Sequence, residues 1–197
     1  VVVTAVDGYG QYTGDVYVQE QAGLTDSTKV KGSGLKLFNP VRTDGILSDL
    51  KPGDLVKVEG KVKHFTPKGG FNDKKHPNKK HIKELEKPKI TRIGPGSAPT
   101  PTDVTAKDLT TDPTAEGYEF TLVRIKDVRV TSDKDKYDEF WVTGSLKIAD
   151  DMFPYTPKKN DCISVTGISL YFYDYKLHPR SAADVKMATG CPKIKDV

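Results

Sequence analysis

Two segments of this chain follow one pattern at a separation of 107 residues, and this repeat constrains the fold more than any other feature. The segments are GDLVKVEGKVKHF at 53–65 and NDCISVTGISLYF at 160–172. Each has an Asp near its start, alternating apolar residues, an internal Gly and a final Phe. Such alternation predicts a β-strand, and a repeated unit indicates a duplicated module. We therefore expect two copies of one β-rich module.

Short runs of β-branched and aromatic residues, bounded by Gly, Asp and Asn, predict strands along most of the chain. About five strands are predicted on each side of a Pro-, Gly-, Ser- and Thr-rich stretch. The predicted domains are residues 1–94 and 104–197, joined by a linker at 95–103. Internal glycines such as Gly60 and Gly167 permit bends that let one strand join both sides of a barrel. The predicted fold class is all-β, with two tandem five-stranded Greek-key barrels.

The two cysteines, Cys162 and Cys191, predict a disulfide that pins the C-terminal segment. Paired cysteines are typical of exported proteins. The alternative is that Cys162 is a small buried apolar residue and Cys191 is unpaired. No run approaches the roughly 18 apolar residues needed to cross a bilayer, so membrane insertion is not expected. Because the chain opens within a strand pattern, we expect that a leader or anchor precedes Val1.

The connection between the fourth and fifth predicted strands of the first half, residues 66–81, is strongly basic. Its Lys and Asp residues give it a net charge of +4, while residues 1–94 carry +6 and residues 95–197 carry −2. Lysines that pair with phosphates and an aromatic ring that stacks on bases are the combination found in single-strand binders. The alternative is a solvated insertion that binds nothing. The predicted binding residues here are Lys63, Lys68, Phe71, Lys74, Lys75, Lys79 and Lys80.

The corresponding connection in the second half is short and aromatic. Tyr171, Tyr173 and Tyr175 occupy alternate positions of YFYDYKLH. Such a row would form a second stacking platform for bases. The alternative is that the tyrosines pack across a hairpin, as aromatic cross-strand pairs commonly do. The sequence leaves both interpretations open.

Catalytic and metal-binding patterns are weak in this sequence. No arrangement of nucleophile, base and acid is evident, and no Gly-rich phosphate loop joins a strand to a helix. The four histidines are scattered and do not have the spacing of a zinc site. The acidic cluster at 133–139 resembles a calcium loop in spacing but lacks its central glycine. We expect a protein that is not an enzyme and has no cofactor and no metal.

The chain resembles OB-fold domains of exported bacterial proteins, including modules attached to extracellular nucleases and tandem modules of lipoproteins. The resemblance covers most of the chain. It implies OB barrels, export and a lipidated tether outside this sequence. The residues that carry it are Val16 to Glu20, Ser33 to Phe38, Gly53 and Asp54 with Gly60, Val123 to Val130, Asp161 to Gly167, and His178 to Asp184 before Cys191.

These observations predict a non-catalytic exported protein that binds single-stranded nucleic acid or another polyanion. Its affinity would fall steeply with added salt, because neutralised phosphates release counterions. The alternative is a structural or adaptor protein of the cell envelope, whose strand edges bind envelope proteins or further copies of itself. The expected location is the periplasm, the cell surface or the medium, with a lipid anchor in the full-length protein.

Overall fold

The computed structural model describes residues 1–9, 14–71 and 81–191, and most of the ordered elements in these ranges are β-strands. The all-β class is confirmed. The helices of the described ranges are short, and none is long and apolar enough to cross a membrane. They are α1 (Gln21–Thr25), α2 (Thr114–Gly117) and 3-10 turns at Ser27–Lys29, Leu47–Asp49, Lys107–Leu109 and Ala182–Asp184.

The first sheet is mixed and is drawn from the N-terminal half. Its strand order is β4-β8-β5-β1-β2-β3-β7-β6, with parallel pairing of β3 to β7 and of β4 to β8. Alternating Val and Leu side chains, including Val16, Val18 and Leu37, pack into one core cluster beneath it. The strands are β1 (Val2–Val6), β2 (Val16–Gln19), β3 (Gly34–Phe38), β4 (Val41–Arg42), β5 (Asp54–Glu59), β6 (Val62–Phe65), β7 (Ile82–Glu86) and β8 (Lys89–Pro95).

The second sheet is drawn from the C-terminal half. Its order is β11-β12-β14-β13-β10-β9, and β15 also pairs with β13. The longest strand, β13, pairs with β10 up to Ile168 and with β14 from there on. The strands are β9 (Thr102–Asp103), β10 (Leu122–Arg129), β11 (Phe140–Val142), β12 (Leu146–Ile148), β13 (Cys162–Phe172), β14 (Asp174–His178) and β15 (Val185–Met187).

Gly167 lies at the point where β13 changes partner. A Cβ atom at this position would lie 2.4 Å from the carbonyl oxygen of His178. Only glycine lets the two backbones approach so closely. The prediction that Gly167 marks a special point in the strand therefore has a physical basis in the contact between β13 and β14.

The predicted strand count is too low, and the predicted barrels are not found as such: the structure has two mixed sheets. The apolar and β-branched residues of IKELEKPKITRIG at 82–94 predict a single final strand of the first half, but the structure has two, β7 and β8. Lys87 between them has a φ of 47°, and Pro88 has no N–H to donate to a ladder. The alternation in EGYEFTLVRIKDVRVTS at 116–132 predicts one long strand, but β10 begins only at Leu122, because helix α2 and the positive φ of Phe120 precede it.

The disulfide between Cys162 and Cys191 is confirmed, with a Cα–Cα distance of 5.8 Å. It joins the start of β13 to the segment that follows β15. The backbone N–H of Ala188 donates to the carbonyl of Cys162 beside it. The C-terminal strand is thus held to β13 by both covalent and hydrogen bonds.

The two halves share a core along their contact, which we call the seam. Tyr17 and Ile82 of the first half pack in one cluster with Phe120, Ile168 and Tyr171 of the second. Hydrogen bonds also cross the seam: in a buried one the N–H of Leu122 donates to Gln19 Oε1 at 3.0 Å, and in a part-buried one Arg180 donates to the carbonyl of Thr4 at 2.8 Å. The sheets are therefore joined by apolar packing and by satisfied polar groups.

The close packing at the seam predicts that alanine lowers stability much more at Gly34 than at Gly94, although both glycines lie in strands. A Cβ at Gly34 would lie 2.4 Å from the carbonyl carbon of Phe120, whereas a Cβ at Gly94 meets nothing within 4 Å. We expect Gly34→Ala to lower the free energy of unfolding by about 1–3 kcal/mol, because backbone atoms of the other half must shift. Gly94→Ala is the matched control, with little or no loss. If chemical denaturation gave the same loss of unfolding free energy for both variants, the halves would not be closely packed at Gly34.

Candidate ligand-binding cleft

A cleft of about 600 Å³ lies between the two sheets, and both halves contribute to its walls. Its described lining combines aromatic rings with acidic and lysine side chains. Several ionisable groups of the lining, including Asp7, Glu84, Glu139 and His178, are buried. Concave sites of this size with a few convergent polar groups are typical of small-molecule binding.

Strand alternation places the charged side chains in the cleft. Along β14, Asp174, Lys176 and His178 line the cleft, while Tyr175 and Leu177 between them belong to core clusters. Along β3, Lys36 and Phe38 line it in the same manner. Successive side chains of a strand point to opposite faces, so alternate residues of one strand line the cleft while the residues between them pack in the core.

The first half contributes one buried ionic group. Lys36 Nζ lies 3.2 Å from Asp15 Oδ2 and 3.5 Å from Glu84 Oε2. Burial raises the pKa of Glu84, and the Lys36 charge opposes that rise. Lys36 therefore pairs with two carboxylates, and of these Glu84 lines the cleft.

The second half contributes a second buried ionic group, centred on Glu139. Glu139 accepts hydrogen bonds from Lys147, at 2.9 Å, and from Lys176. Burial lowers the pKa of Lys147, but the hydrogen bond and charge of Glu139 outweigh it, and the pKa is raised overall. Asp174 lies 3.7 Å from the same lysine. The carboxylates around Lys147 therefore hold it in its charged form.

Asp7, Asp151 and His178 form a third group, which we call the acceptor group. Burial raises the pKa of Asp7 to about 6, with further contributions from the Asp15 and Asp151 charges. Burial also raises the pKa of Asp151 and lowers that of His178 to about 3, so the imidazole is neutral near pH 7. Neither ring nitrogen of His178 has a hydrogen-bond partner among the described residues, although Nδ1 lies 3.3 Å from Asp151 Oδ2.

The predicted polyanion site is described only in part. Lys63 donates to Glu86 at 2.5 Å and also lines the cleft, while Lys68 is exposed. The Phe71 ring packs edge-on against Tyr171 and Tyr173, each at 5.3 Å between ring centroids. Lys74, Lys75, Lys79 and Lys80 lie outside the described residues. Polyanion binding through these side chains stays a prediction.

The predicted tyrosine row is divided between core and surface. Tyr171 and Tyr175 are buried, face each other across β13 and β14, and have ring centroids 5.0 Å apart. The Tyr175 hydroxyl donates to Asp112 at 2.7 Å. Tyr173 is 45 % exposed in the turn between these strands. The cross-strand packing alternative describes Tyr171 and Tyr175, and only Tyr173 offers an open ring.

Comparison with protein-family models, with curated proteins and with solved structures finds no match. The resemblance to OB-fold modules therefore stays a prediction. Among the residues that the structure describes, no group of His, Cys, Asp and Glu has the arrangement of a metal site.

Sequence reasoning missed the acceptor group and most of the cleft. The available signal was the alternation of charged with apolar residues in strands that are otherwise core-forming, as in DYKLH at 174–178. That pattern predicts a polar face, but a polar face is usually solvated. Only the packing of a second sheet opposite this one makes the face a cleft wall.

Proposed function

We propose that this chain is a non-catalytic binding protein whose ligand occupies the cleft between its two halves. The observation that carries this proposal is the buried, unpartnered His178 imidazole at the wall of a 600 Å³ cleft. Buried polar groups in proteins nearly always have a hydrogen-bond partner. A ligand in the cleft would supply the missing one, and the surrounding rings would cover its apolar parts.

We also propose that each half is an OB-like, partly open barrel. Several pairings support this. In the second half β13 pairs first with β10 and then with β14, and a bridge between Val130 and Val142 links β10 to β11. In the first half β5 pairs with β1, and β6, which follows Gly60, pairs with β7. The disulfide supports the accompanying proposal of export.

The cleft proposal is tested by mapping ligands with backbone amide NMR. Compounds of different classes, namely amines, saccharides and a single-stranded oligonucleotide, are titrated into the labelled protein. We expect shift changes to cluster on β3, β7, β13 and β14 for a bound compound. Exclusion of every compound from these strands would contradict the proposal.

The same titration separates the cleft from the predicted polyanion site. Salt-sensitive shifts at residues 66–81 on addition of the oligonucleotide would favour polyanion binding as the function.

The alternative function, binding of proteins at strand edges, is favoured by one specific observation. Strand β6 ends the first sheet, and its Val62 side chain is 65 % exposed. Self-association that increases with protein concentration and does not change with salt concentration would support that adaptor role.

A further inference from the structure

We propose that the cleft binds a small organic cation, and that its primary ammonium group is held by Asp7, Asp151 and His178. This inference rests on the proposed function, because it requires the cleft to be the ligand site. It adds the chemical class of the ligand and the atoms that recognise it.

The charge balance of the cleft favours a cation. The described lining and the direct partners of its lysines together carry seven carboxylates and four lysines. Each of the four lysines, namely Lys36, Lys63, Lys147 and Lys176, already contacts at least one carboxylate. An anionic ligand would have to displace those contacts. A cation would instead offset the excess of negative charge, which is costly to bury.

The excess of negative charge in the cleft is located at the acceptor group. Within the described part of the chain, no lysine or arginine lies within ion-pair distance of Asp7 or Asp151. Among the described residues, the backbone N–H of Tyr9 donates a hydrogen bond to the Asp7 carboxylate, at 3.0 Å. Two carboxylates with no described lysine or arginine paired to them therefore face the same cleft from opposite halves of the chain.

The number and type of acceptors match an ammonium group. A primary ammonium has three N–H donors and no acceptor. The two carboxylates and one nitrogen of the neutral His178 imidazole supply acceptors for all three. A hydroxyl has a single donor and a quaternary ammonium has none, so neither satisfies this group as fully.

Aromatic rings line the remainder of the space. Tyr17, Phe38, Phe120 and Phe172 belong to the cleft wall. The faces of such rings attract cations and cover alkyl chains. An alkylammonium would thus be bound at its charge by the acceptor group and along its chain by the rings.

Binding is expected to weaken as the pH falls. Burial raises the pKa of Asp7 to about 6; the hydrogen bond from Tyr9 and the Lys36 charge lower it, and the Asp15 and Asp151 charges raise it. Burial also raises the pKa of Asp151, which the Lys176 charge lowers and the Glu139 charge raises. Because Asp7 must be ionised to hold the cation, affinity at pH 5 should be about tenfold lower than at pH 7.5.

The test uses 1,5-diaminopentane and its neutral isostere 1,5-pentanediol, titrated calorimetrically into the intact protein at constant ionic strength. We expect the diamine to bind at pH 7.5 and the diol not to bind. Asp7→Asn and Asp151→Asn should each weaken diamine binding about tenfold or more, since each removes a charged hydrogen-bond acceptor. Asp49→Asn, which changes an exposed carboxylate outside the cleft, is the matched control and should leave the affinity unchanged.

Folding of the variants is checked in the same samples. Asp7→Asn removes a desolvated charge, so its melting temperature at pH 7.5 should equal or exceed that of the unmodified protein. The cation inference would be overturned if the diol and the diamine bound equally well, or if neither Asp7→Asn nor Asp151→Asn changed the affinity for the diamine. If a saccharide maps to the cleft and the diamine does not bind, the inference fails and the proposed function stands. If no compound reaches the cleft strands, both fail.

Discussion

Replacement of Tyr171 by alanine is expected to lower the free energy of unfolding by about 3–5 kcal/mol, the range for deleting a buried aromatic ring. Tyr171 is fully buried and belongs to the core cluster that joins the halves. Its ring contacts those of Phe71 and Tyr175, so truncation removes packing on both sides of the seam. Denaturant titration followed by circular dichroism measures the loss.

Tyr173→Ala is the matched control for this prediction. Tyr173 lies two residues further along the chain and is 45 % exposed. Loss of its edge-on contacts with Phe71 and Phe172 should cost about 1 kcal/mol or less. A different outcome would favour the stacking platform: a Tyr171→Ala variant of unchanged stability that no longer binds a single-stranded oligonucleotide.

Removal of the disulfide is expected to have an effect of similar size. Cys162 and Cys191 are separated by 29 residues, and opening a loop of that length corresponds to about 3–4 kcal/mol in the chain-entropy treatment. The double variant Cys162→Ala, Cys191→Ala should therefore unfold at a clearly lower denaturant concentration. Its native fold should persist, because β15 remains paired with β13.

A reducing agent provides the control for the disulfide prediction. It should lower the unfolding midpoint of the unmodified protein toward that of the double variant, and it should not change the double variant. Coincident denaturation curves for the oxidised protein and the double variant would show that the C-terminal strand needs no covalent restraint.

The features predicted correctly from the sequence are those that neighbouring residues determine. Alternation of apolar and polar residues is a local property, and it located β13 and the all-β class. The matching segment at 53–65, predicted as one strand, is instead two, β5 and β6, which pair with different strands. The disulfide followed from cysteine usage. Strand ends were less accurate where backbone geometry decided them, as at Lys87 and Pro88 between β7 and β8.

The cleft could not be predicted because its groups come from distant parts of the chain. Asp7, Asp151 and His178 meet only after two sheets have formed and packed against each other. Each of them, seen alone in its segment, is indistinguishable from a solvated surface residue. The Lys-rich connection is evident in the sequence because its charged residues are close together along the chain, whereas those of the cleft are close together only in the folded structure.

The seam also restricts how this chain can change in evolution. Tyr17 and Ile82 of the first half pack with Phe120 and Ile168 of the second, so a change of side-chain volume in either half alters the environment of the other. Substitutions accepted in one half would then depend on those already present in the other. Such epistasis makes it difficult to exchange or lose one half alone.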